Sequence, residues 1–508
     1  MRIKDILMSL ALFAGLKVGT AQEKFSADWE SLKKHNVVPE WFANAKLGVY
    51  FHWGVYSVPA TDGEWYPRWM YVPDRDKNRW GGKIYEEHRK TYGEDFDYHD
   101  FIPMWKAPNF DAVEWVDMFE NMGAKFIGSI AEHHDGFSLW DSEINEWNSA
   151  EMGPKIDVVK AIADETKKRD IKFMATFHHG FHMMFYPKPD ISYLRPVTTN
   201  RFNCVYENCE VPQDPKYRKL YCNMDYDEAQ ELWLGKLNEV IETHCPDYIW
   251  MDFGQRYVSE EYRMQFLANY FNKAEAEAKE VVVNTKGSFF PTDLSVVNVE
   301  RATMEDITSE VWITDFILGS SWCYNKKDRT AINPAKAVRT LAEVVSKNGV
   351  MLFSAGPMAD GTIPEEQVLA MEGIGAWMKL YGESIYDTRP FVAFGQGPTK
   401  LVRDESDAWN EYGAIKKGLN LLNAEDVRYT RKGKTVYAIQ LGWPGSEKAT
   451  VLEVFANEAK DMNVRSISVL GSSEKTKWKK TNEGLLVTSP VEKPAEADAA
   501  LVYKITLR

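Results

Sequence analysis

The chain has 508 residues, which is enough for a large apolar core and for two domains. Hydrophobic residues make up 44% of it and charged residues 27%, as is usual for a globular protein. The net charge of −14 argues against nucleic acid and against an anionic membrane surface as a partner.

Residues 1–21 have the pattern of a secretory signal peptide. Arg2 and Lys4 form a basic start, the apolar stretch 6–16 is too short to cross a bilayer, and small residues precede a cleavage point near Ala21. The alternative is a native first helix. No later stretch is long and apolar enough for a transmembrane helix. We therefore expect a periplasmic or secreted protein whose mature chain is not inserted in a membrane.

From about residue 40 to about residue 390, apolar runs that end in polar residues alternate with segments of helical spacing. The runs span residues 46–51, 125–131, 171–177, 246–251, 280–283 and 350–353. This alternation predicts a parallel sheet covered by helices. Because the polar tips follow the carboxyl ends of the runs, a (β/α)8-like barrel fits best. A doubly wound sheet is the alternative, but no Gly-rich phosphate loop follows the first run.

Near residue 393 the character of the sequence changes. Helical spacing stops, and strand-like segments separated by Gly, Asn and Lys turns follow at 427–430, 435–441, 449–455 and 501–507. We predict a signal peptide over residues 1–21, a catalytic barrel over 22–394 and a C-terminal β-sandwich over 395–508.

The buried run 246–251 ends at a carboxylate, Asp252, and Gly254 permits a sharp turn just after it. A carboxylate at the mouth of a buried strand is costly unless it has partners or a task. We predict that Asp252 is a catalytic nucleophile. The alternative is a helix cap or a buried, paired Asp.

Histidines are concentrated at the tips of the runs. They are His52, His133, His134, His178, His179 and His182. Neutral imidazoles donate or accept hydrogen bonds with hydroxyl groups, which favours a polyol ligand, and a metal site is the less favoured alternative. Glu64 and Trp65 follow the first tip, where a carboxylate beside an aromatic residue can bind hydroxyls and stack a sugar ring.

Hydrolysis of a glycosidic bond needs a second carboxyl group to protonate the leaving oxygen. Asp252 supplies the first group. Glu300, Glu305 and Glu310 are candidates for the second, and spacing alone does not choose among them.

Ordered blocks of this sequence resemble the α-L-fucosidases of glycoside hydrolase family 29. The blocks extend from about residue 40 to about residue 390 and so cover the whole predicted barrel. They include His52-Trp53-Gly54, Glu64-Trp65-Tyr66, His133-His134-Asp135-Gly136, the Asp252 strand, Ser321-Trp322-Cys323 and Ala359-Asp360-Gly361. The β-rich tail is similar to the C-terminal sandwich of that family.

The resemblance implies a retaining exo-hydrolase that releases L-fucose from fucosylated oligosaccharides or polysaccharides without a metal or other cofactor. By position, Asp252 corresponds to the nucleophile, and Glu300 aligns best with the acid/base, with Glu305 in reserve. Contacts to the fucose ring and its hydroxyls are implied for His52, Glu64, Trp65, His133 and His134. His178 falls where a residue faces the nucleophile, and Trp322 falls where an aromatic residue borders the sugar's methyl group.

The sequence also departs from the family pattern. Residues 284–287 read Asn-Thr-Lys-Gly where the family often has Asn-Asp-Arg-Trp, and Lys286 cannot reproduce the two-pronged hydrogen bonding of Arg. Residues 187–225 form an insertion that we expect to border the site. Three alternatives stay open: a glycosidase for another L-sugar, a fucose-binding protein without turnover, and a metal hydrolase built on the histidines. An oligomer is compatible with the sequence, which does not specify one.

Overall fold

The computed structural model describes residues 24–191, 205–287, 289–403 and 411–508. The predicted signal peptide lies outside the described residues. Among those that are described, no helix combines the length and apolar character needed to cross a membrane.

Within the described part of the chain, eight parallel strands close into a barrel and follow one another in sequence order. They are β1 Leu47–Phe51, β2 Phe126–Glu132, β3 Lys172–Phe177, β4 Tyr248–Met251, β5 Val282–Thr285, β6 Val296–Glu300, β7 Trp312–Ile317 and β8 Gly349–Ala355. The barrel closes between β1 and β8, where Leu47 pairs with Met351 and Phe51 pairs with Ala355. The predicted (β/α)8-like barrel is confirmed, and the doubly wound alternative is wrong.

The helices lie mostly between these strands in the sequence. They are α1 Trp29–Leu32, α2 Glu40–Ala45, α3 Tyr66–Trp69, α4 Ile84–Tyr92, α5 Ala112–Met122, α6 Val158–Lys168, α7 His182–Phe185, α8 Tyr226–His244, α9 Glu260–Ala276, α10 Pro334–Ser346 and α11 Glu365–Tyr381. Several start at side-chain caps: Asp111, Asp225 and Asn333 accept hydrogen bonds from backbone N–H groups in the first turns of α5, α8 and α10. These caps fix where the outer helices begin.

Large apolar side chains fill the inside of the barrel. Tyr50, Phe126, Tyr248 and Trp250 belong to this cluster, which Phe42 of α2 joins. The packing leaves no room for a side chain at Gly48 of β1, where a Cβ would lie 2.2 Å from the ring of Phe126. Because the interior is solid, a ligand can only be bound beyond the ends of the strands.

Two barrel strands carry no clear signal in the sequence. β6 and β7 are short and contain buried polar residues, among them Asn298 and Asp315, so neither reads as a continuous apolar run. The Asn298 amide donates a hydrogen bond to Asp315 Oδ1 at 3.1 Å, which compensates part of their burial. For a similar reason β5 extends to Thr285, beyond the predicted end at residue 283, because Asn284 and Thr285 are polar but buried.

The C-terminal part, as far as it is described, contains a five-stranded sheet in the order β13-β16-β11-β10-β9 and a three-stranded sheet in the order β12-β15-β14. The strands are β9 Arg389–Gln396, β10 Val427–Lys432, β11 Thr435–Gln440, β12 Ala449–Leu452, β13 Val464–Val469, β14 Trp478–Thr481, β15 Gly484–Thr488 and β16 Leu501–Leu507. The two sheets enclose a second apolar core, as a β-sandwich requires. β9 spans the boundary that we predict between residues 394 and 395. The strand is hidden in the sequence by Pro390 and Gly395, which are tolerated because β9 lies at the sheet edge.

Candidate active site

A cavity of about 660 Å³ opens at the carboxyl ends of the barrel strands. The first-choice catalytic and sugar-binding residues predicted from the sequence all line it: His52, Glu64, Trp65, His133, His134, His178, Asp252, Glu300 and Trp322. These residues are distant in the sequence, and the barrel brings them together because each follows, or lies close to, a strand end.

Asp252 stands directly after β4, at the floor of the cavity. Its backbone N–H donates to the carbonyl of Phe177 at 3.1 Å, which continues the β3–β4 pairing by one residue. Gly254 then turns the chain with a φ of +104°, and a Cβ there would lie 2.7 Å from the backbone nitrogen of Phe181. This turn holds the side chain of Asp252 at the strand mouth, where it is only 8% exposed.

Three groups surround the carboxylate of Asp252. Lys286 Nζ lies 3.0 Å from Oδ1, while His178 Nδ1 and His134 Nε2 lie 3.2 Å and 3.4 Å from Oδ2. Burial alone would raise the pKa of Asp252, but the Lys286 ammonium and the two imidazoles outweigh it and hold this pKa well below 3.8. Asp252 is therefore ionised over the whole neutral and mildly acidic range.

The hydrogen bonds of the two histidines define which nitrogen carries a proton. His134 Nδ1 lies 2.5 Å from the carbonyl oxygen of His178 and so must donate to it. Burial lowers the pKa of His178 to about 4, despite the hydrogen bond to Asp252. His178 is therefore neutral at neutral pH, with its proton on Nδ1 facing the carboxylate. Its Nε2 is buried and has no hydrogen-bond partner among the described residues.

Lys286 connects three carboxyl groups. Its Nζ lies 3.0 Å from Asp252, 3.0 Å from Glu300 Oε2 and 3.8 Å from Asp315 Oδ2. Burial lowers the pKa of this ammonium, but the three carboxylates raise it further, so the pKa is well above its usual value. The shared contact also sets a separation: the Asp252 and Glu300 oxygens that touch this nitrogen lie at most about 6 Å apart. Carboxyl groups about 5–5.5 Å apart are typical of retaining glycosidases.

Asp315 is a member of this group that the sequence analysis does not identify. It lies within β7 and is 1% exposed, and burial raises its pKa to about 6. The available signal is an acidic residue flanked by apolar residues in the segment Trp312–Ile317, because such a residue is costly to bury without a partner.

Polar groups without partners line the cavity above Asp252. His133 Nδ1, His178 Nε2 and Glu64 Oε2 are buried and have no hydrogen-bond partner in the described part of the chain. Burial lowers the pKa values of His52 and His133 well below 6.5 and raises that of Glu64 to about 7. Buried polar atoms are almost always hydrogen-bonded. A ligand that is rich in hydroxyl groups would satisfy these.

Aromatic rings complete the wall of the cavity. The Trp65 ring is 5.6 Å from that of His134 and lies parallel to the ring of Phe253 at 6.3 Å. The Trp322 ring lies 5.4 Å from that of His52. The cavity thus offers apolar faces beside the polar groups, as a sugar with both hydroxyl and methyl groups needs.

Among the described residues, two overlapping groups of side chains have donor atoms close enough together to hold a metal ion. One is His52, His133 and His178 and the other is His134, His178 and Asp252, each with one donor atom per residue within 4.8 Å of the others. The second group is opposed by the Lys286 ammonium, which lies 3.0 Å from Asp252 and would repel a cation. The first group consists of imidazoles that suit zinc or copper but also suit hydroxyl groups.

Some candidates lie away from the cavity. Glu305 is exposed and does not line it. His179 Nε2 and His182 Nε2 donate to the carbonyls of Trp233 and Leu220 at 3.1 Å and 2.9 Å, so these two residues have structural partners instead.

The mouth of the cavity is formed by residues to which the sequence analysis assigns no role. They are Trp69, Arg75, Arg79, Trp80, Tyr206, Arg301, Ser320, Ser321 and Lys416. Tyr206 belongs to the insertion 187–225, part of which therefore borders the site. Residues 192–204 of this insertion are outside the described residues.

A catalytic barrel with a carboxylate pair at the carboxyl ends of its strands is the architecture of a glycoside hydrolase. The Alpha-L-fucosidase family model matches residues 12–383, and the model of the Alpha-L-fucosidase C-terminal domain matches residues 420–508. The chain belongs to the α-L-fucosidase family.

Known proteins agree with this assignment along the whole chain. The tissue alpha-L-fucosidase of Bos taurus is 26% identical over 512 residues, covering 96% of this chain and 92% of that protein. The plasma alpha-L-fucosidase of Homo sapiens is 27% identical, with 92% and 89% covered. The crystal structure of Thermotoga maritima alpha-fucosidase in complex with fucose is 27% identical and superimposes with a TM-score of 0.68, covering 95% of this chain and 100% of that one.

Proposed function

We propose that this protein hydrolyses terminal α-L-fucosyl residues of glycans with retention of configuration, through a covalent fucosyl-enzyme intermediate. One observation carries the proposal: Asp252 and Glu300 both lie 3.0 Å from the single ammonium of Lys286, on the floor of the cavity. The two oxygens that contact this ammonium lie at most about 6 Å apart, which favours the short carboxyl separation of retaining enzymes over the roughly 6.5–9.5 Å of inverting ones.

In the first step, Asp252 attacks the anomeric carbon while Glu300 donates a proton to the departing glycosidic oxygen. The bond from carbon to the leaving oxygen breaks as the ester to Asp252 forms. The low pKa of Asp252 keeps the nucleophile ionised, and the Nδ1–H group of His178 orients its second oxygen by donating a hydrogen bond to it.

In the second step, Glu300 takes a proton from a water molecule, which attacks the same carbon and releases Asp252. Two inversions give net retention. Lys286 contacts both carboxyl groups, so it can offset the negative charge that moves from one to the other during the cycle.

We assign fucose recognition to the residues around this floor. His52, His133, His178 and Glu64 offer polar atoms for the sugar hydroxyls. Trp65 and Trp322 offer apolar faces, the latter to the methyl group of the 6-deoxy sugar, whose burial contributes about 0.8 kcal/mol. No step needs a metal ion or a cofactor.

We also propose that the protein is exported, on the basis of the basic and apolar pattern of residues 1–21. Sequencing the N-terminus of the protein recovered from its native cells would test this. A first residue at or near Gln22 is expected, and a first residue of Met1 would contradict export with cleavage.

The experiment for the main proposal is release of 4-nitrophenol from 4-nitrophenyl α-L-fucoside by the purified chain. We expect turnover by the wild type and near-complete loss for Asp252→Asn, with Asp141→Asn, an exposed Asp, as the matched control that keeps its activity. A panel of aryl glycosides of other L-sugars, assayed in parallel, would reveal a different sugar preference. A folded wild type that releases nitrophenol from none of them would contradict the proposal.

A further inference from the structure

The charge of the cavity differs between its floor and its mouth. The carboxyl groups that line it belong to residues that are largely buried: Glu64, Asp252, Glu300 and Asp315. The mouth is lined by cationic side chains: Arg75, Arg79, Arg301 and Lys416. Because the chain has a net charge of −14, this set of cations is not a general property of its surface. Because the fucose is assigned to the floor of the cavity, the part of the substrate beyond the fucose lies at this cationic mouth.

Aromatic rings lead from the floor toward these cations. Trp65 lies 5.7 Å from Trp80, which in turn lies 6.1 Å from Trp69. Trp80 is 51% exposed, although it is one of the largest apolar side chains. An exposed indole ring at the mouth of a sugar-binding cavity provides a flat surface on which a second sugar ring can stack.

Arg75 is held in place next to this surface. Its Nε donates to the carbonyl of Trp80 at 2.8 Å, and its guanidinium carbon lies 3.4 Å from the centre of the Trp69 ring. No carboxylate of the described residues forms an ion pair with it. Arg79 has only a distant contact with Asp76, at 3.9 Å. One further donor of Arg75, Nη1, makes a long contact of 3.5 Å with the hydroxyl of Tyr206. Both guanidinium groups still retain donors for an anionic ligand, and their planar geometry matches a carboxylate or a sulfate.

We propose that the mouth of the cavity is a subsite for an acidic aglycone, a sugar that carries a carboxylate or a sulfate next to the fucose. Its ring stacks on Trp80, and its anionic group binds Arg75 and Arg79. Arg301, whose guanidinium lies 3.5 Å from Glu300 Oε1, adds positive charge beside the carboxyl group of Glu300. This inference rests on the proposed fucosidase function and specifies the class of glycan that the enzyme prefers.

The test compares aryl α-L-fucosides that differ only in charge. One pair is the 4-carboxyphenyl and 4-carbamoylphenyl fucosides, and the other is the 4-sulfophenyl and 4-sulfamoylphenyl fucosides. The readout is the ratio of kcat/KM for the anionic member to kcat/KM for the neutral member. Differences in leaving-group acidity cancel when this ratio is compared between the wild type and a variant.

We expect the ratio to fall about 10-fold in the double variant Arg75→Gln/Arg79→Gln, because a hydrogen bond to a charged group is lost. Added NaCl should lower the ratio in the wild type more than in the variant. The matched control is Arg465→Gln, an exposed Arg on β13 that does not line the cavity, which should leave the ratio unchanged. The carboxylate and sulfate pairs show which anion is preferred.

If the double variant does not fold, the single variant Arg79→Gln takes its place in the test. The side chain of Arg79 is 75% exposed, so we expect this substitution to leave the fold intact. The inference is overturned if the neutral fucosides are hydrolysed and the ratio is the same in the wild type and the folded variants. Hydrolysis of no fucoside by the wild type would instead overturn the proposed function itself, so the two failures are distinguishable.

Discussion

Replacing Lys286 by Gln should show how much the electrostatic attraction between its ammonium and the catalytic carboxyl groups contributes to activity. Lys286 is buried and lies 3.0 Å from both Asp252 and Glu300. At an effective dielectric constant of about 20, opposite charges at this distance attract by roughly 5 kcal/mol. Gln has a similar length but no charge, so the substitution removes the attraction and leaves the carboxyl groups facing one another.

The Lys286→Gln variant should therefore lose activity in a way that depends on pH. Without the ammonium, the pKa of Asp252 rises, because Lys286 is the main group that opposes the effect of burial. Loss of even half of the attraction to Asp252, about 2.5 kcal/mol, corresponds to roughly a 70-fold decrease in kcat/KM at acidic pH. Part of the loss should be recovered as the pH rises and Asp252 ionises again.

The assay is the pH profile of kcat/KM for 4-nitrophenyl α-L-fucoside. We expect the acidic limb of the profile to move to higher pH in Lys286→Gln and to stay near its original position in Lys286→Arg, which keeps the positive charge. Lys106→Gln, at an exposed Lys, is the control for removal of a charge elsewhere. A Lys286→Gln variant with the activity and the pH profile of the wild type would refute the reasoning.

Three further predictions concern the remaining groups of the site. Glu300→Gln should slow hydrolysis of fucosides with poor leaving groups far more than that of the nitrophenyl substrate, whereas Glu305→Gln, at an exposed position, should not; equal effects of the two would contradict the acid assignment. Because burial raises the pKa of Glu64 from 4.5 to about 7, the folded state prefers its protonated form, so stability is full below pH 4.5 and falls until about pH 7. In Glu64→Gln, the decrease in the free energy of unfolding between pH 4.5 and pH 8, measured by urea unfolding, should be about 3 kcal/mol smaller than in the wild type. An equal decrease in the wild type and the variant would contradict the raised pKa of Glu64. Incubation with EDTA should leave the fucosidase rate unchanged, while loss of activity that Zn²⁺ restores would assign a metal to His52, His133 and His178.

The barrel could be predicted because most of its strands are short apolar runs that end in polar residues. β4 and β8 are fully buried, and they read as buried strands in the sequence as well. β6 and β7 could not be predicted in the same way, since Asn298, Thr314 and Asp315 are buried within them. The Asn298 amide N–H group and the Thr314 hydroxyl group form hydrogen bonds, whereas Asn298 Oδ1 and Asp315 Oδ2 have no hydrogen-bond partner among the described residues. No local pattern in the sequence encodes these contacts.

The residues at the floor of the site could also be predicted from the sequence, whereas those at its mouth could not. Asp252 and the histidines sit at strand tips, and sequence position alone places such tips on one face of a barrel. Lys286 contacts Asp315, and Arg75 contacts the ring of Trp69. The positions of these side chains relative to one another depend on tertiary packing, which the sequence pattern does not show. The composition of the sequence shows that the chain has many charged and aromatic residues. It does not show which of them line the same cavity.

The central claim is that Asp252 forms the covalent bond to the sugar. The most direct measurement is mass spectrometry of peptides from the enzyme after reaction with 2-deoxy-2-fluoro-α-L-fucosyl fluoride, whose fluorine slows the release of the intermediate. We predict one fluorofucosyl group, attached to the peptide that contains Asp252 and bound through its carboxylate. A fluorofucosyl group on Glu300 or on another residue, or turnover of the reagent without any adduct, would contradict the account.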